Sequence, residues 1–111
     1  MAGVRLDKPW RELTAENVAR LAGELGVFQL ADAQGRVVRI GYAGGRSLFG
    51  LRGELQAALA AGAAAKFRVE VTAQYLSRHE ELLMVHMAEF GSLPAGNAAD
   101  AGRRLGRLSP G

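Results

Sequence analysis

Apolar residues at helical spacing predict three helices. The first follows Thr14, a residue that favours the N-cap position, and continues to the residue before Gly26. The second covers 48–61, where leucines form a stripe on one side. Ser77 with Glu80 three residues later has the pattern of a capping box, so it predicts the start of a third helix that ends at a glycine near residue 91.

Short apolar segments with alternating polar residues predict three strands, over 27–30, 36–42 and 67–72. The first two are joined by a turn that contains Gly35, so they are expected to pair as a β-hairpin. Strict alternation would place every second residue of the middle strand, Val38 among them, on the same face. The chain is therefore predicted to be a small α+β protein in the order helix, strand, strand, helix, strand, helix.

Composition limits the classes of protein to which this chain can belong. Its 111 residues and 11.8 kDa suit one domain, which we predict over 1–93, followed by a flexible Gly, Ala and Arg tail over 94–111. The absence of cysteine excludes disulfides, a thiol nucleophile and cysteine-ligated metals. No apolar segment approaches the ~20 residues of a membrane span, so we expect a cytoplasmic protein without a membrane partner.

The formal net charge is +3, and much of it lies in the predicted tail, where Arg103, Arg104 and Arg107 face one acidic residue. The remaining body is close to neutral. Basicity alone is therefore a weak argument for a nucleic-acid partner.

A glycine-rich loop after the second strand is a candidate phosphate site. Gly44, Gly45 and Arg46 combine unhindered backbone N–H groups with a cation, just before a predicted helix. The alternative is a glycine-rich connection that only reverses the chain. Within the following helix, Gly50 and Gly53 predict either a ragged first turn or a close approach by another backbone.

Two short motifs and four later residues together resemble a known domain. The strand motifs are Gly26-Val27-Phe28 and Arg39-Ile40-Gly41. Arg52 follows them, Glu80 lies on a late helix, and Pro94 and Asn97 come after it. In this order and spacing the chain resembles the GIY-YIG endonuclease domain.

The resemblance implies a three-stranded antiparallel sheet flanked by helices and metal-dependent hydrolysis of DNA. It implies catalytic roles for Tyr42 and Arg52, and a role for Glu80 in binding Mg²⁺ or Mn²⁺. The family's two motif tyrosines are Phe28 and Arg39 in this sequence, so their hydroxyls are missing. Tyr42 is the only phenol near these positions.

Three functions follow as hypotheses. The first is a degenerate GIY-YIG-like domain that binds DNA, another nucleic acid or a phosphate ligand without efficient cleavage, through arginines that include Arg39, Arg46 and Arg52. The second is an active endonuclease that uses Tyr42, Arg52 and Glu80. The third is a protein-interaction or oligomerisation module whose contact surface includes the leucines and methionines over 82–87, although these residues also suit a core.

Overall fold

The structure, a computed structural model, describes residues 4–97 as a four-stranded antiparallel sheet with three helices. The sheet order is β1-β4-β2-β3. The elements are β1 (Arg11–Glu12), α1 (Ala15–Ala19), β2 (Gly26–Ala31), β3 (Val37–Ala43), α2 (Gly50–Ala61), β4 (Lys66–Val71) and α3 (Tyr75–Phe90).

The predicted hairpin is confirmed, and β2 forms the centre of the sheet. β2 is buried along its whole length and pairs antiparallel with β3 on one side and β4 on the other. In the turn, the Asp32 carboxylate accepts hydrogen bonds from the backbone N–H groups of Gln34 and Arg36, at 3.0 and 2.9 Å. Gly35 has a φ of 86°, a backbone conformation that favours glycine.

The prediction of three strands is wrong because β1 adds a fourth. β1 has only two residues, and Arg11 and Glu12 are both exposed. They pair with Phe67 and Lys66 of β4. Two exposed polar residues carry no alternation of hydrophobicity, so only the contact with a distant strand defines this element.

Helices cover both faces of the sheet and enclose two hydrophobic clusters. α1 and α2 pack on one face, where the cluster is built around Phe28, Leu55 and Phe67. α3 and the lead-in segment, which is residues 4–10 before β1, pack on the other face, around Leu6 and Ile40. The sheet thus separates two layers of side chains.

An irregularity in β3 changes which residues share a face. Leu30 pairs with Arg39, but the next residue of β2, Ala31, pairs with Val37, which leaves Val38 without a partner on β2. Val38 packs on the side of α2, whereas Val37 packs on the side of α3 with Ile40. Strict alternation therefore predicted the face of Val38 wrongly, because an extra residue in a strand shifts the side-chain pattern by one.

α1 is much shorter than predicted, because Arg52 Nη1 on α2 donates to the Leu21 carbonyl, which a longer α1 would use itself. The N-cap is confirmed, since Thr14 Oγ1 accepts from Asn17 N–H at 3.1 Å. Beyond the helix, the Glu24 carbonyl accepts from Leu51 N–H at 2.8 Å. Gly50 approaches the backbone of 23–24 with a φ of 56°, so the predicted close approach is confirmed.

α3 begins at Tyr75, two residues before the Ser77 cap that the sequence predicts. Thr72 Oγ1 accepts from Gln74 N–H at 3.0 Å at the start of this turn, and Ser77 is exposed within the helix. The predicted end is confirmed: Gly91 has a φ of 77°, and its N–H donates to the Met87 carbonyl at 2.8 Å. Across residues 4–97, no helix combines the length and apolar character needed to cross a bilayer.

Arg78 joins α3, β4 and the lead-in segment. Its Nε and Nη2 donate to the two carboxylate oxygens of Glu70, at 2.9 and 3.0 Å, and Nη1 donates to Glu81 at 2.6 Å. The guanidinium also donates to the carbonyls of Val4 and Arg5. The hydrogen bond with Glu70 raises the pKa of Arg78, and this effect outweighs the opposing effect of burial.

β3 is an edge strand, and the chain after α3 covers the edge that does not pair with β2. Ile40 N–H donates to Asn97 Oδ1 at 2.7 Å, and Asn97 Nδ2 donates to the Ile40 carbonyl at 2.8 Å. A Cβ on Gly96 would lie 2.6 Å from the Val38 carbonyl oxygen, so the two backbones are in close contact. The first residues of the predicted tail thus replace a neighbouring strand, whereas 98–111 lie outside the described residues.

Asn97→Ala is expected to lower the free energy of unfolding by about 2 kcal/mol, because it leaves the backbone N–H and carbonyl of Ile40 without this partner in a buried place. Urea denaturation followed by circular dichroism measures the change. Ser92→Ala, an exposed neighbour, is the control and should change stability by less than about 0.5 kcal/mol. Equal effects of the two substitutions would show that Asn97 does not hold the edge.

Candidate functional site

An open cleft of about 960 Å³ surrounds the end of β3. Its wall is formed by β3, by the glycine-rich loop after it and by the facing sides of α2 and α3. Seven of the candidate site residues that the sequence singles out lie in this lining: Arg39, Ile40, Gly41, Tyr42, Gly44, Gly45 and Arg46.

Three aromatic rings form one wall of the cleft. The rings of Tyr42 and Tyr75 are stacked, with centroids 5.7 Å apart and planes at 20°. His79 meets Tyr42 edge-on at 5.0 Å, and its Nε2 lies 3.1 Å from the Ile40 carbonyl oxygen. Tyr75 and His79 are one helical turn apart on α3, so both face β3.

The glycine-rich loop is held by hydrogen bonds within the protein. Gly44 N–H donates to Ser47 Oγ, and Gly45 N–H donates to the Tyr75 hydroxyl, both at 3.1 Å. Ser47 in turn donates to a Glu54 carboxylate oxygen at 2.9 Å. The two glycine N–H groups predicted to bind phosphate therefore already have partners within the protein.

Gly44 is also required by packing, because a Cβ there would lie 2.6 Å from the ring of Tyr75. This contact favours the alternative that the sequence left open, in which the glycines serve the path of the chain. Gly45 is exposed, and its nearest neighbour would be the Tyr75 hydroxyl at 3.7 Å.

Arg39 and Arg46 give the cleft its positive charge. Both are exposed, and neither forms an ion pair or hydrogen bond through its side chain with any residue of 4–97. The lining contains one carboxylate, that of Glu54. Two guanidinium groups are thus available to an anion that enters the cleft.

Arg52 lies on another side of α2, outside this lining. Its Nη1 donates to the Leu21 carbonyl at 3.1 Å, which ties α2 to the chain after α1. The structure therefore does not bring Arg52 together with Tyr42. Residues 53, 54 and 57 of α2 line the cleft, and residue 52 points to a different side of the helix.

Glu80 is half-buried on α3 and does not line the cleft. The part of the chain that the structure describes holds no cluster of three or more His, Asp or Glu side chains suited to a metal ion. The role of Glu80 in binding Mg²⁺ or Mn²⁺ stays a prediction from the resemblance.

Packing accounts for the motif residues Gly26, Val27, Phe28 and Gly41. A Cβ on Gly26 would overlap the Glu70 carbonyl oxygen, and a Cβ on Gly41 would overlap the ring of Phe28. Val27 and Phe28 are buried on opposite faces of the sheet. These positions carry a structural requirement of their own, independent of any catalytic role.

Tyr75 and His79 belong to the cleft, although no sequence motif marks them as site residues. Their spacing of four residues places them on one face of a helix, and this was a usable signal. The missing information was which strand residue that face would meet. Tyr42 is that residue.

Residues 4–89 match a family described as a domain of unknown function, DUF7508. The chain belongs to the DUF7508 family. The match runs from the lead-in segment to the end of α3 and includes every lining residue of the cleft. Searches of curated proteins and of solved structures gave no match for this DUF7508 chain.

Proposed function

We propose that this DUF7508 domain binds a nucleic acid in the cleft around β3 and does not cleave it efficiently. The observation that carries the proposal is the pair Arg39 and Arg46, which line one cleft without a counter-charge of their own among residues 4–97. A guanidinium binds phosphate oxygens through two parallel hydrogen bonds, so two such groups suit successive phosphates of a strand.

The aromatic wall favours a single strand over a duplex. Tyr42 and Tyr75 lie in the same lining as the arginines and are only partly buried. In single strands the bases are accessible and stack on aromatic side chains, at about 1–3 kcal/mol per base, whereas duplex bases stack on each other. An open cleft lined by both aromatic rings and cations supports this mode of binding.

Binding is expected to be weak and sensitive to salt. With two arginines and the Glu54 carboxylate, the lining has a small positive charge. Affinity for nucleic acid grows with the number of phosphates that the protein neutralises, and each contributes to the dependence on salt.

The active-endonuclease alternative has less support. Tyr42 lies in the cleft, but the side chain of Arg52 is engaged by the Leu21 carbonyl and Glu80 lies outside the lining. Loss of a group that activates water usually lowers a rate by ~10²–10⁴.

The interaction-module alternative loses part of its proposed surface. Leu82 and Leu83 are each 1% exposed and belong to the core between α3 and the sheet. Met84 and Met87 are each 41% exposed, so they remain available for contact.

A binding and cleavage titration tests the proposal. The protein is incubated with labelled single-stranded, duplex and branched DNA at low and high salt, with and without Mg²⁺ or Mn²⁺. We expect salt-sensitive retention, strongest for single strands, and no cleavage. Metal-dependent cleavage that is lost in Glu80→Ala would support the endonuclease instead. No retention and no cleavage would contradict both nucleic-acid functions.

Arg39→Ser and Arg46→Ser are each expected to weaken retention of single-stranded DNA and to reduce the slope of log K against log salt by about 0.7. Arg36→Ser is the matched control, since Arg36 is an exposed arginine at the hairpin turn and lies outside the cleft. It removes the same charge and should leave the slope unchanged. A loss of equal size in all three variants would mean that net charge, rather than the cleft, attracts the DNA.

A further inference from the structure

A second pocket lies near the turn between β2 and β3, at the opposite end of β3 from the glycine-rich loop. It has a volume of about 180 Å³ and lies between the lead-in segment, the sheet and the last two turns of α3. It shares no lining residue with the cleft. Its walls combine apolar side chains with polar groups that have unused hydrogen-bonding capacity.

Gln29 provides a buried donor at this pocket. It lies on the central strand β2, is 6% exposed, and its Oε1 accepts from Arg68 Nε at 2.8 Å. Its Nε2 donates to no residue within 4–97. No side-chain nitrogen or oxygen in that range is both sealed from solvent and unpartnered, so Nε2 is reached from the pocket that Gln29 lines. The Nε2 hydrogens are therefore open to an acceptor that enters the pocket.

Arg68 adds a cation beside this donor. Its guanidinium lies over the ring of Trp10, 4.0 Å from the centroid, and Nη1 donates to the Lys8 carbonyl at 3.1 Å. No carboxylate among residues 4–97 forms an ion pair with it. Burial lowers the pKa of Arg68, while the charge of Asp7 raises it and that of Arg5 lowers it. Arg68 Nη2 makes no hydrogen bond within the described chain, so this partly desolvated cation can still bind an anion.

The remaining walls select the size and character of the ligand. Leu6, Leu82, Val85 and Phe90 present apolar surface. The volume is below the roughly 300–1,000 Å³ of sites for drug-sized molecules, so a small molecule fits. The second arginine, Arg5, is paired with Glu89, so the pocket has one unpaired cation and suits a monoanion better than a phosphate dianion.

We propose that this pocket binds a small organic carboxylate. One carboxylate oxygen accepts from the Gln29 amide and the other from the Arg68 guanidinium, while the apolar body of the ligand packs against Leu82 and Val85. This site is independent of the nucleic-acid cleft, so either proposal can fail without the other.

The fluorescence of Trp10 reports on this pocket directly, because the chain has one tryptophan and its ring lies under Arg68. The probes are propionate and benzoate, with propionamide and benzamide as neutral controls at constant ionic strength. We expect a saturable change with at least one acid and a response at least tenfold weaker with its amide. No saturable response to either acid, or equal responses to acid and amide, would contradict the proposal.

Gln29→Leu replaces the amide donor by an apolar side chain of similar size. It should therefore weaken binding of the acid roughly tenfold. Arg20→Ser, on the exposed side of α1, is the control and should bind as the unchanged protein does. Nuclear magnetic resonance of the unchanged protein gives a second measurement that needs no variant. The Gln29 side-chain NH₂ signals should shift on titration with the acid, and unmoved signals at saturation would overturn the assignment.

Discussion

Phe28→Ala is expected to lower the free energy of unfolding by about 4 kcal/mol. Phe28 is 2% exposed and lies in the cluster that joins the sheet to α1 and α2. Removing a buried phenyl ring loses its transfer free energy and leaves a cavity, which together cost roughly 3–5 kcal/mol. Urea denaturation followed by circular dichroism measures the change. A loss below about 1 kcal/mol would mean that this motif position is not a core position.

A double-mutant cycle with Gly41 sharpens this test. Gly41→Ala should cost about 2 kcal/mol, because its new Cβ would overlap the Phe28 ring. Once Phe28→Ala has removed that ring, the same change should cost at least 1 kcal/mol less. Gly45→Ala is the control, since its Cβ would meet only the Tyr75 hydroxyl at 3.7 Å. Strict additivity of the Phe28 and Gly41 substitutions would contradict the contact.

The second large effect is expected at Arg78. Arg78→Ala should destabilise the protein by about 3 kcal/mol, because the side chain is only 10% exposed and its removal leaves Glu70 and two backbone carbonyls without their shared donor. Thermal unfolding and urea denaturation measure the loss. The stability of Arg78→Lys should lie between that of the unchanged protein and that of Arg78→Ala. An ammonium keeps the charge but cannot bind both Glu70 oxygens in parallel.

Arg20→Ala is the matched control for Arg78→Ala. Arg20 pairs with Glu16 across one turn of α1, and both side chains are mostly exposed. Such exposed pairs contribute about 0.3–0.5 kcal/mol. Similar losses for Arg20→Ala and Arg78→Ala would show that the Arg78 network does not hold the lead-in segment to the domain.

Sequence patterns correctly predicted those ends of helices and strands that are formed by hydrogen bonds between residues close together in the chain. The hairpin turn around Asp32, the Thr14 cap and the Gly91 end are each determined by contacts within a few residues. The short β1 and the early end of α1 depend instead on distant partners, β4 and α2. Patterns along the chain carry little information about such partners.

Part of the candidate site was predictable, because some of its residues are placed by a strand and a loop that the sequence pattern identifies. Tyr42 and Arg46 follow from the strand and the loop, and both line the cleft. The direction of Arg52 and Glu80 depends on how α2 and α3 are rotated against the sheet, which sequence spacing alone does not determine. The partners of Tyr42 on α3, Tyr75 and His79, became evident only once the helix was placed on β3.

The most direct test of the proposed function is a nuclear magnetic resonance titration of isotope-labelled protein with a short single-stranded oligonucleotide at low salt. We expect the largest shifts at Arg39, at residues 44–46 and at Tyr75, and we expect a higher salt concentration to reverse them. Shifts confined to residues outside the cleft, or no shifts at millimolar oligonucleotide, would contradict a nucleic-acid site at β3.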